Sequence, residues 1–89
     1  MAPPRPRTVI NARTDVGFGN TLFIRGDGPG LNWEKGARLD CIASDHWKIE
    51  LEAGSRPVVF KLLINDEQWN SGPDYTADVS STVTVHPEF

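Results

Sequence analysis

Chain breakers punctuate this sequence repeatedly between residues 17 and 74, and no segment reads as a convincing helix. Gly17-Phe18-Gly19-Asn20, Gly26-Asp27-Gly28-Pro29-Gly30, Lys35-Gly36, Ser44-Asp45, Ala53-Gly54-Ser55-Arg56-Pro57, Asn65-Asp66-Glu67 and Asn70-Ser71-Gly72-Pro73-Asp74 all read as turns or loops. The stretch 31–39 is the best helical candidate, and glycine interrupts it at Gly36 and flanks it at Gly30. The segments between breaks are short and read as strands, 8–14, 21–25, 37–43, 46–51, 58–64, 68–69 and 81–85, the first of them rich in β-branched residues. In 46–51, Trp47, Ile49 and Leu51 alternate with polar residues, which predicts a strand with one buried face. The most apolar run, 58–64, predicts a central strand with Phe60, Leu62 and Ile64 inward and Lys61 and Leu63 on the opposite face. Short strands with turn signals about every 8–12 residues predict an all-β, antiparallel β-sandwich.

The chain has 89 residues, enough for one domain with one thin core. Residues 1–7, with three prolines and two arginines, predict a disordered or extended tail, and 8–89 a single β domain. The net charge is −3, which argues against a nucleic-acid partner and against an anionic membrane surface. No apolar run approaches the ~20 residues of a spanning helix. The single cysteine, Cys41, has no partner for an internal disulfide, and no apolar segment follows the prolines at the start. A cytoplasmic setting is the expectation, or a piece cut from a longer protein.

Catalysis has little to build on. Cys41 lies in the pattern Leu39-Asp40-Cys41-Ile42 and reads as a small buried hydrophobe. His46 and His86 lack metal-ligand spacing, the carboxylates are scattered, and neither an enzyme, a metal nor a cofactor is expected. Arg25-Gly26-Asp27 closes a strand and reads as a chance tripeptide, not an adhesion signal.

The three tryptophans are the unusual feature. Trp47 fits core packing. Trp33 and Trp69 flank polar, glycine-containing loops, Gly30-Leu31-Asn32-Trp33-Glu34 and Glu67-Gln68-Trp69-Asn70-Ser71-Gly72. Two readings stand: a flat platform for a neutral ligand such as a sugar ring, whose C–H face packs on an indole, or half-buried supports for their own loops.

Residues 22–33, ending Gly30-Leu31-Asn32-Trp33, resemble the strand, glycine and "L-G-N-W" segment of starch-binding domains. Residues 58–69, Val58-Val59-Phe60-Lys61 through to Trp69, resemble their "F-E-Y-K-F…W" segment, and His46-Trp47 to Leu51-Glu52-Ala53-Gly54 their "W…L-P-A-G" stretch. Over residues 8–86 the chain resembles carbohydrate-binding module families 20 and 48. The resemblance implies an immunoglobulin-like β-sandwich of about seven strands. It implies noncatalytic binding of α-1,4-linked glucans such as starch, glycogen or maltooligosaccharides, and association with a glucan-active enzyme. Trp33 and Trp69 would be inclined stacking surfaces, with Lys61 reaching a sugar hydroxyl. Asp74 falls where relatives often carry a hydrogen-bonding asparagine, and Asn70 where some carry glutamate. Phe18 matches one aromatic of the family's second site, whose other position has no counterpart because residues 34–45 are shortened. The alternative is a structural or protein-interaction sandwich that keeps the fold without the ligand.

Overall fold

The computed structural model describes residues 6–89. Residues 1–5 of the expected tail lie outside the described residues. Arg7, assigned to that tail, is instead the first residue of a strand, and the Pro6 carbonyl accepts the Ala53 amide. The described residues form nine strands: β1 (Arg7–Ala12), β2 (Leu22–Asp27), β3 (Ala37–Arg38), β4 (Asp40–Ala43), β5 (His46–Glu52), β6 (Val58–Ile64), β7 (Gln68–Trp69), β8 (Tyr75–Ala77) and β9 (Thr82–Val85). They make two sheets, β4-β5-β1-β9 and β3-β2-β6-β7, with β8 also paired to β6. This is the expected all-β sandwich with more strands than the seven anticipated. No helix among the described residues is long and apolar enough to cross a membrane.

The core lies between the sheets. Ile10 and Ala12 of β1, Trp47 and Leu51 of β5, Leu22 and Ile24 of β2, and Phe60 and Leu62 of β6 form one buried cluster, completed by Val16, Leu39, Val58 and Ala77. Period-two alternation puts these side chains on the inner faces. Trp47 is therefore a core residue, as its strand pattern predicts.

Three expectations are corrected. The strand expected over 37–43 is two strands in different sheets: β3 pairs with β2, and β4 with β5. Leu39 sits fully buried at the crossing, while all four residues of β4 are exposed on a sheet edge. Cys41 is consequently exposed, not buried, with Sγ donating to the Ala43 carbonyl at 3.3 Å. Secondly, β1 and β9 pair in parallel. The last strand arrives from the other sheet and fills the edge of β1 left free by β5, and alternation carries no information about direction. Thirdly, β2 runs through Gly26 to Asp27 instead of stopping at the glycine. A Cβ on Gly26 would lie 2.3 Å from the Val59 carbonyl oxygen and 2.9 Å from Phe60 Cα, so the glycine marks a close approach of β6.

Candidate functional site: a paired indole surface

The outer face of the β2/β6/β7 sheet carries the site. Register places Phe23 opposite Leu63, Arg25 opposite Lys61, and Leu63 opposite Trp69. Residues paired across strands share a face, so these side chains all point away from the core. Leu63 is fully buried yet is not part of the inner cluster. A second, smaller apolar layer therefore lies on this side of the sheet, with Phe23 and Trp69 directly across from Leu63.

Trp69 ends β7 in the hairpin that follows β6. Asn65 and Asp66, the central residues of that turn, both have positive φ (54° and 57°), and Glu67 N donates to the Ile64 carbonyl. Positive φ at both central positions is the signature of a type I′ turn, and the pairing of Ile64 with Gln68 leaves Glu67 as one extra residue in a three-residue connection. Trp33 lies in the loop between β2 and β3. The Asn32 side chain shapes that loop, Oδ1 accepting the amides of Glu34 (2.9 Å) and Lys35 (2.7 Å).

These two segments, remote in sequence, bring the indoles together. Their ring centroids are 6.3 Å apart and their planes are tilted by 26°. Trp33 retains 40% of its accessible surface and Trp69 42%. The rings are neither turned inward nor separated. Lys61 lies on the same face, with Nζ donating to the Asn70 carbonyl at 3.2 Å.

Other candidate residues fall elsewhere. Asn70, expected to face a ligand, is 2% exposed, and its side chain is occupied by the backbone. Its Oδ1 accepts the Leu62 amide at 2.7 Å, its Nδ2 donates to the Ser71 carbonyl at 3.0 Å, and its own amide donates to the Leu62 carbonyl at 2.8 Å. The reason is topological. Strand β6 pairs with β7 at residues 63–64 and with β8 at residues 58–60, and Asn70 completes the ladder in the gap. Asp74 is exposed in the loop before β8. Phe18 is fully exposed at the tip of a glycine-flanked loop and, with Val16, Arg38, Cys41 and Trp47, lines a separate concavity of about 470 Å³. Among the described residues no group of three or more His, Cys, Asp or Glu is placed to hold a metal ion.

Arg25 and Asp66 are site residues that sequence reasoning missed. Arg25 Nε donates to Asp66 Oδ1 at 2.9 Å, Nη2 to the Asp66 carbonyl at 3.1 Å, and Nη1 to the Trp33 carbonyl at 3.3 Å. The guanidinium carbon also lies 5.3 Å from the Trp69 ring centroid, within cation–π range. Asp66 Oδ2 accepts the Gly36 amide at 3.1 Å. The Arg25 hydrogen bond is the largest influence on the Asp66 carboxyl and holds it below its ordinary range. Burial pushes the other way, and the Gly36 amide and the charges of Arg25 and Lys35 add to the lowering. The available signal was the period of β2, which puts Arg25 on the face opposite Ile24. The Arg25-Gly26-Asp27 tripeptide is not presented as a unit. Arg25 is engaged by Asp66, the Trp33 carbonyl and the Trp69 ring, Gly26 is buried, and Asp27 is ion-paired to Arg56 at 3.5 Å.

No protein-family model matches the sequence, and no curated protein matches it. Among solved structures, a glycoside hydrolase family 15 glucoamylase from Hypocrea jecorina aligns with a TM-score of 0.69 at 21% identity. The alignment covers 93% of this chain and 17% of the glucoamylase chain. The likeness is one of fold, and it extends over nearly the whole domain.

Proposed function

We propose that this domain is a noncatalytic module that binds α-1,4-linked glucans by stacking sugar rings on Trp33 and Trp69. The observation that carries the reading is the indole pair itself: adjacent, exposed and mutually tilted. Each pyranose presents a face of C–H bonds that suits an indole. Successive rings of an α-1,4-glucan are not coplanar, so a tilted pair fits the chain's curvature better than a flat one. Lys61 on the same face and the exposed Asp74 offer polar partners to the rim hydroxyls. The fold-level likeness to a glucoamylase is compatible with a partner of this class and with tethering to a glucan-active enzyme.

A shallow site with two stacking contacts binds weakly, on the order of micromolar to millimolar. A repeating polymer or a tethered enzyme raises the effective affinity. The test is native-gel retardation in soluble starch or glycogen, read alongside the tryptophan fluorescence response to β-cyclodextrin. Trp33→Ala and Trp69→Ala should each weaken binding about tenfold or more while the protein stays folded. Unaltered mobility of the wild type together with a silent fluorescence titration would overturn the proposal.

A further inference from the structure

The indoles are held by different parts of the chain, and an exposed aromatic pair has no intrinsic reason to keep one spacing. Four contacts of a single side chain supply that reason here. Arg25 grips the Trp33 loop at its carbonyl, the β6–β7 turn at the Asp66 carbonyl and carboxylate, and the Trp69 ring from 5.3 Å. Asp66 closes the circuit by accepting the Gly36 amide at the far end of the Trp33 loop. The Arg25 and Asp66 side chains are only 18% and 25% exposed, so water competes less for the part-buried bonds of Arg25 to Asp66 and of Asp66 to Gly36 than for the exposed one to the Trp33 carbonyl. Arg25 also stands directly opposite Lys61, a like-charge pairing that is unfavourable unless another group offsets it. Asp66 does so. The planar fork matters as well as the charge, because an ammonium cannot reach three acceptors in these directions.

We infer that Arg25, acting through Asp66, is the positioning residue that fixes the distance and tilt of the indole pair before any ligand arrives. As a determinant of recognition this rests on the glucan-binding reading; as a property of the free protein it does not. Pre-setting the rings removes an ordering cost from binding.

The experiment reads the indole pair directly. Two indoles at this separation and tilt couple their electronic transitions and give a paired positive and negative band in far-ultraviolet circular dichroism. The W33F and W69F variants establish which part of the spectrum belongs to this pair. R25M and R25K should each lose most of that couplet while retaining a cooperative thermal transition. Because R25M leaves the Asp66 carboxylate without its partner, G36A approaches the same clamp from the other side. A Cβ there would fall 2.3 Å from Asp66 Oδ1 and 2.9 Å from Phe23 Cβ, displacing the carboxylate and crowding the layer beneath Trp69, so the couplet should again be lost. An unchanged couplet in any folded variant of the three overturns the inference.

Retardation in soluble starch separates the two claims. With the couplet lost, R25M should bind about tenfold more weakly than the wild type. If the couplet collapses but the wild type is never retarded, the positioning role stands and the glucan reading fails. If the wild type is retarded and folded R25M keeps both couplet and retardation, the glucan reading stands and the positioning role fails.

Discussion

Replacing Asn70 by alanine separates a structural role from a ligand-binding one. The side chain makes two hydrogen bonds, to the Leu62 amide at 2.7 Å and the Ser71 carbonyl at 3.0 Å. Each such bond contributes about 1 kcal/mol net, but the loss is unequal at the two ends. The Ser71 carbonyl has a route to water. The Leu62 amide sits in the middle of a central strand and would be left buried without an acceptor, which costs about 1–3 kcal/mol by itself. Together they give a destabilisation of about 2–4 kcal/mol for Asn70→Ala. In a domain of this size that lowers the midpoint of thermal unfolding by about 10–25 °C. Circular-dichroism melts and urea titrations of the variant measure it. Below the lowered midpoint the folded variant should still be retarded by starch, because the indoles and Lys61 remain. A variant with wild-type stability and abolished binding would refute this account of Asn70 and return it to the ligand.

Three further outcomes follow from other contacts. Gly26→Ala should destabilise severely, by about 3 kcal/mol or more, because the new methyl meets the Val59 carbonyl and Phe60 backbone; the soluble yield and the melting midpoint report it. Asp66 is more acidic folded than unfolded, so its stabilising contribution is complete above the ordinary carboxylate pKa and disappears as pH falls through the lowered value. Melting midpoints measured from neutral to strongly acidic pH should therefore fall less steeply at the acid end in Asp66→Asn than in the wild type. Cys41, exposed on β4, should react stoichiometrically with a thiol reagent in the native state without added denaturant.

Much of the architecture was readable before any coordinates. The alternation in β5 and β6 identifies Trp47, Phe60 and Leu62 as core and sends Lys61 outward, because side-chain direction in a strand follows residue parity. The indoles stand out because large aromatics beside polar loops are poorly explained by core filling. Other features depend on contacts between segments remote in sequence. Asn70 looks like any loop asparagine until the handover of β6 from β7 to β8 opens a gap that its amide fills. Arg25 looks like one exposed strand residue until the β6–β7 turn brings Asp66 against it. The apolar pattern around Cys41 predicts burial because it does not reveal that the strand lies on an edge. The division of 37–43 between sheets was hidden for the same reason, since Leu39 is apolar in either arrangement.

That division ties the two halves of the molecule together. With Leu39 as a pivot sunk in the shared interior, a few residues of backbone belong to both halves at once. Peeling away either layer drags this segment out and empties the space that Leu39 fills, so neither layer has an independent way to come apart. The indole-bearing face, whose own apolar layer is the smaller of the two, thereby inherits the cohesion of the whole domain.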